Sequence, residues 1–210
     1  MNFRSIRPIG LTVLPVAALI GLGVGAVSAA AVERAIEREV VVPATLDQAW
    51  AAWTTREGVT SFFSPDAEID ARVGGAFHIF MDPTAAPGEK GADDMRYMAL
   101  QPKKMLSFDW NAPPSLPEAR AQRTFVIVRF EPVSDKETRV TLHHTGWGTG
   151  GQWDSTYAYF DKAWPRVLES LRKRFETGPQ DWAPWLAQLR AYKVKEAAAA
   201  ASSAASAAAK

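Results

Sequence analysis

The sequence predicts an α+β protein: a curved antiparallel sheet of about six to seven strands wrapped around one long C-terminal helix, with two short helices after the first strand. Three observations carry this. From Ala67 onward, apolar and polar residues alternate in a series of short runs, the period of half-exposed antiparallel strands. Between Trp153 and Phe175 the period changes, and Trp153, Tyr157, Phe160, Trp164, Val167, Leu168, Leu171 and Phe175 recur at steps of three and four, making one apolar stripe. A helix so long and aromatic needs a wide apolar surface, and only a sheet built from the upstream strands can supply it.

Taken in order, Ile36 to Val42 reads as a first strand, stopped by Pro43. Thr45 with Gln48 is a capping-box start, and Leu46, Trp50 and Trp53 then share a helical face, so 45 to 53 is a short helix. A second spans Arg56 to Phe63 and ends at Ser64-Pro65. In the next strand Ala67, Ile69, Ala71 and Val73 face inward while Glu68, Asp70 and Arg72 face water. Gly74-Gly75 turns it into Ala76 to Met81, a hairpin. Strands follow at Met95 to Leu100, Lys104 to Trp110, Arg123 to Glu131 and Thr138 to Thr145. The connections Asp82 to Asp93 and Asn111 to Gln122, the latter with Pro113, Pro114 and Pro117, exceed simple turns and read as the mouth or lid of a site. Pro165 inside the last helix predicts a kink near Asp161 to Pro165. Beyond Gly178-Pro179, residues 179 to 196 form a helical extension that packs back through Trp182, Trp185, Leu186 and Leu189; 197 to 210 is an alanine and serine tail, frayed helix or disordered.

Of the 210 residues, 47% are hydrophobic and 22% charged, enough apolar material for a single core, placed at 32 to 178. The net charge is +1, and the first thirty residues hold Arg4 and Arg7 with no acid, so the rest carries +1 − 2 = −1. A near-neutral body without a basic block gives nucleic acid nothing to bind. Those two arginines precede an apolar run from Leu11 to Leu22 and the small residues Ser28 to Ala31, the layout of an export signal over 1 to 31, cleaved after Ala29 or Ala31. The expected address is the periplasm or the exterior, with no membrane span after cleavage; the alternative is a retained N-terminal anchor facing the periplasm. The absence of cysteine excludes disulfides, thiolate metal sites, a cysteine nucleophile and a lipidated cysteine.

Gly146 to Gly151 satisfies G-x-G-x-x-G between a strand and a helix, but no second strand follows that helix, so the glycines serve a tight turn rather than a dinucleotide. His143 and His144 are strand neighbours pointing to opposite faces and cannot chelate one ion together. His144 shares the inward face with Val140 and Leu142, as a hydrogen-bonded core histidine or, less simply, a ligand or proton-transfer group. His78 has no acidic or histidine partner at ligand spacing. Asp109, Asp154 and Asp161 fall off the inward faces, and no serine sits in a nucleophile turn, so hydrolysis has no visible carrier. Of the eight tryptophans, Trp50, Trp53 and Trp164 read as core, whereas Trp110, Trp147 and Trp153 lie where strands end and a cavity would open.

Trp53-Thr-Thr-Arg-Glu-Gly58, Val73-Gly-Gly75, Phe108-Asp-Trp-Asn-Ala-Pro-Pro114, His144-Thr-Gly-Trp147 and Phe160-Asp-Lys-Ala-Trp-Pro165 occur in that order. With the order of elements, they resemble the helix-grip superfamily of START-like, polyketide-cyclase-like (SRPBCC) domains over Ile36 to Phe175, and within it the branch named after the activator of the heat shock protein 90 ATPase. The resemblance implies an apolar cavity between sheet and last helix, holding a hydrophobic small molecule, with no cofactor and no metal. The residues expected to line it are Phe62, Phe63, Trp110, Asn111, His144, Trp147, Trp153, Tyr157 and Phe160. Two alternatives stand beside binding: a cyclase- or hydratase-like enzyme using His144, and an activator of a chaperone ATPase. The export signal and the segment Trp182 to Lys210 depart from the family pattern.

Overall fold

The computed structural model describes residues 33–208, so the predicted export signal lies outside the described residues. The chain runs β1 (Ile36–Val42), α1 (Leu46–Thr54), α2 (Arg56–Thr60), β2 (Asp66–Ile69), β3 (Phe77–Phe80), β4 (Gly91–Ala92), β5 (Tyr97–Gln101), β6 (Met105–Trp110), α3 (Pro117–Arg120), β7 (Thr124–Ser134), β8 (Glu137–Thr145), α4 (Gln152–Thr177) and α5 (Ala183–Ala208). Every strand pairing is antiparallel, which removes the dinucleotide reading of the glycine turn. One sheet has the order β1-β8-β7-β6-β5 and the other β2-β3-β4. The second continues the first: Ala76 bridges Arg96, and Phe77 N–H donates to the Met95 carbonyl at 2.8 Å. The predicted α+β helix-grip architecture is therefore present, as five plus three strands.

Local sequence explains most boundaries. Thr45 and Gln48 form the predicted capping box, each side chain accepting from the other's backbone N–H. β2 ends four residues before the predicted Val73, because the chain turns at Asp70. There Arg72 N–H donates to the Asp70 carbonyl at 2.7 Å, and Gly75 approaches so closely that a Cβ would lie 2.1 Å from that oxygen. Ala71 and Val73 are consequently exposed rather than on the core face. Alternation had extended the strand across what is a wide turn.

The concave face is made by Leu106, Phe108 and Trp110 of β6, Val126, Val128 and Phe130 of β7, and Val140, Leu142 and His144 of β8, all buried. Against it α4 buries Thr156, Phe160, Trp164, Leu168 and Leu171. Each large apolar side chain so buried contributes about 1.5–3 kcal/mol. The helix runs through Pro165 without interruption. Pro165 is on the exposed side, where water can take up the carbonyl that the missing N–H leaves free. Gly146, Gly150 and Gly151 have positive φ, and a Cβ on Gly148 would meet the Trp153 indole at 2.1 Å, so the glycines fold a tight β8-to-α4 turn. The helical extension does not stop at residue 196: α5 continues to Ala208.

Candidate functional site

Sheet and helix enclose two aromatic clusters that share Trp164 and Phe160. In the first, His144 is fully buried. Its Nδ1 accepts from the Trp164 indole N–H at 2.8 Å, which leaves the proton on Nε2, 2.7 Å from Thr124 Oγ1; that hydroxyl in turn donates to the Trp110 carbonyl at 3.2 Å. Burial, with a smaller contribution from His143, lowers the imidazole pKa to about 3, so it stays neutral. The Trp147 ring lies tilted against it, with centroids 4.1 Å apart, and its N–H donates to the His144 carbonyl. Tyr157 donates to the Ala35 carbonyl at 3.1 Å beneath the Arg34 guanidinium, and Trp153 packs on Gly148. His143 points the other way, toward Glu37 at 3.0 Å.

The second cluster is open. A pocket of about 240 Å³ lies between the end of β6, the β3–β4 hairpin and the middle of α4. Its walls are Phe63, Ile79, Trp110, Phe160, Trp164 and Val167, with Ala112, Pro113 and Pro114 along one side and Met81, Asp82, Glu89 and Lys90 at the rim. Asn111 sits within this apolar lining, 6% exposed, and its amide makes no hydrogen bond to any described residue. The Trp110 Nε1–H is buried without an acceptor; Trp53 has the same deficit away from the pocket, so an unpaired indole alone does not mark the site.

Of the nine residues predicted to line a cavity, Phe63, Trp110, Asn111 and Phe160 do so. Phe62, His144, Trp147, Trp153 and Tyr157 do not: Phe62 is sealed against Trp53 and Phe63, His144, Trp147 and Tyr157 belong to the first cluster, and Trp153 packs on Gly148 in the turn. The end beside Trp147 and Trp153, where an opening is also expected, is closed by Trp147 against His144 and Tyr157, whereas the connections Asp82 to Asp93 and Asn111 to Gln122, expected as a mouth or lid, supply the rim and one wall. Tyr159 and Ala163 line the pocket but are not among the nine expected residues. Ala163 carried a usable signal, a small residue within an inward arc otherwise made of Phe160, Trp164 and Val167. His78, without a partner by spacing, faces Glu68 across β2–β3 at 3.2 Å, a pairing that only strand register supplies. Among the described residues, no group of three or more His, Asp or Glu could hold a metal ion.

Two devices frame the mouth. Arg120 donates to the carbonyls of Ala112, Gly88 and Gly91 and pairs with Asp93 at 3.5 Å, tying both long connections together. Burial draws its pKa down, against the pull of Asp93. The segment after α4 straps the outside. Gln180 N–H donates to the Ser61 carbonyl, Trp182 to that of Thr60 and Trp185 to that of Met81, while Lys193 pairs with Asp82 at 2.5 Å and donates to Thr84 at 2.8 Å. Among the described residues, no helix is long and apolar enough to cross a membrane.

No curated protein matches the sequence. Solved structures share the fold. Protein MLL2253 from Mesorhizobium loti is 20% identical with a TM-score of 0.56, covering 70% of this chain and 100% of that one. The Aha1 dimer from Colwellia psychrerythraea is 21% identical with a TM-score of 0.52, over 69% and 98%. CalU16 from Micromonospora echinospora is 19% identical with a TM-score of 0.51, over 80% and 88%. The family model described as Activator of Hsp90 ATPase homolog 1-like protein matches residues 43–176, most of the helix-grip body and none of α5, and the chain belongs to that family within the START-like, polyketide-cyclase-like superfamily.

Proposed function

We propose that this chain is an exported binding domain holding a hydrophobic small molecule between its sheet and α4. The observation that supports this most is the apolar pocket with an amide, Asn111, whose hydrogen-bonding capacity the protein leaves unused. At the wall of an open apolar pocket such an amide is available to a polar group of a ligand. Export rests on the residues before Val32, which have the layout of a signal segment.

Native mass spectrometry of protein recovered from its own cells tests the reading. A retained small-molecule mass, lost from an Ala163→Trp variant that fills the pocket, is the expected result. An empty wild-type protein that also takes up no apolar probe would overturn it. An enzyme working through His144 would require that ring to leave Trp164 and Thr124, whose bonds occupy both nitrogens. An activator of a chaperone ATPase draws support from the family description, and stimulation of such an ATPase by the purified chain would favour it.

A further inference from the structure

The binding reading fixes neither the size, the charge nor the shape of the occupant; the walls of the pocket constrain all three. An apolar cavity of about 150 Å³ holds a benzene ring. At about 240 Å³, this one has room for a substituted ring or a fused pair, and it falls below the roughly 300 Å³ at which drug-sized sites begin. Five of its side chains, Phe63, Trp110, Tyr159, Phe160 and Trp164, are aromatic. Flat rings at such spacings favour edge-to-face or offset contacts with another flat ring over a flexible chain.

Charge is decided by which cations are already engaged. Arg120, beside the wall at Ala112, directs its guanidinium to three carbonyls and Asp93. Lys193 is held by Asp82, and Lys90 lies at the rim over the Phe80 ring, 5.1 Å from its centroid. An anion placed against Asn111 would therefore be desolvated among apolar walls without a counter-ion. Asn111 offers a neutral carbonyl and a neutral NH₂ side by side, suited to a hydroxyl or a carbonyl.

Resting on the binding reading, we infer that the site takes a one- or two-ring neutral aromatic molecule carrying a single hydroxyl or carbonyl group, which Asn111 receives. A lipid, a sterol or an aryl carboxylate is a poor occupant.

The test titrates the full chain with naphthalene, 2-naphthol, 2-naphthoate and dodecanoate, read by calorimetry. The expected order places 2-naphthol about tenfold or more ahead of 2-naphthoate and dodecanoate, where tenfold is about 1.4 kcal/mol. Asn111→Leu removes about tenfold from 2-naphthol and leaves naphthalene within about twofold; Asn111→Ala serves if the leucine variant misfolds. If 2-naphthoate or dodecanoate binds tightest, and Lys90→Gln abolishes the preference, the inferred class is wrong while the pocket remains a binding site. If no probe binds and Ala163→Trp behaves as wild type, the binding reading falls, and this inference with it.

Discussion

Around His144, each side-chain nitrogen has a partner: Nδ1 receives the Trp164 indole proton, Nε2 meets Thr124, and Trp147 closes over the ring. Around Asn111, on another side of the same Trp164, the indole of Trp110 and the amide of Asn111 have none, and the walls stand apart. Both regions are aromatic, both lie between sheet and α4, and each centres on one polar side chain that is almost fully buried. Residue type does not separate them. Completeness of hydrogen bonding does, and together with the open cavity it supports the proposal that the first is core and the second a site.

The largest expected effect comes from the residue both regions share. Trp164→Ala removes a 1% exposed indole and the donor to His144, and should destabilise by about 3–5 kcal/mol in urea titration. Next come matched substitutions that attack the contrast directly. His144→Leu leaves the Trp164 N–H and the Thr124 hydroxyl unpaired and should cost about 1–3 kcal/mol. Asn111→Leu breaks no side-chain hydrogen bond to a described residue and should cost less than His144→Leu, under about 1 kcal/mol. Equal losses would erase the distinction between core and site.

How much of this the sequence carried depends on which force set each feature. The α4 stripe, the capping box at Thr45 and the inward face of β8 were legible because they follow from local period and local capping. The end of β2 was not, since Asp70 N–H donates to the Ala76 carbonyl while Gly74 and Gly75 exchange backbone bonds with the distant Tyr97, a pattern invisible to alternation. The same limit applies to which aromatic residues line the cavity. Trp147, Trp153 and Tyr157 have the composition of a pocket, yet whether rings meet or leave a gap depends on register and on Ala163, one small side chain on the opposite element.

Acid distinguishes the regions next. The unfolded imidazole takes up a proton near pH 6.5, whereas His144 in the fold does so only near 3. Between those values the unfolded state holds more protons, so stability is complete above about pH 6.5 and is lost progressively as pH falls toward 3. His144→Gln, which can still accept from Trp164 and donate to Thr124, should flatten that slope between pH 7 and 4.5 in denaturant titrations. Asn111→Leu should leave it intact, since the amide does not titrate.

The smallest effect on stability should reveal the most about the open end. Burial pushes the Asp82 carboxyl up, but hydrogen bonds from Lys193 and Thr84 outweigh it and hold the group below its usual range. Lys193→Ala removes a partly exposed pair, and should change global stability by less than about 1 kcal/mol. Its consequence is local: Asp82 to Lys90 loses the Lys193 tether to Asp82 and Thr84, while Arg120 and the Trp185 bond to Met81 remain, so amide exchange should accelerate there and not in β8. That asymmetry follows from where each region gets its support. The His144 cluster is closed largely from within the stretch matched by the family model, whereas the mouth of the pocket leans on α5, which lies beyond it. The open end is then supported in part from outside the stretch that the family model matches, and unchanged exchange in Asp82 to Lys90 would show that this support is not needed.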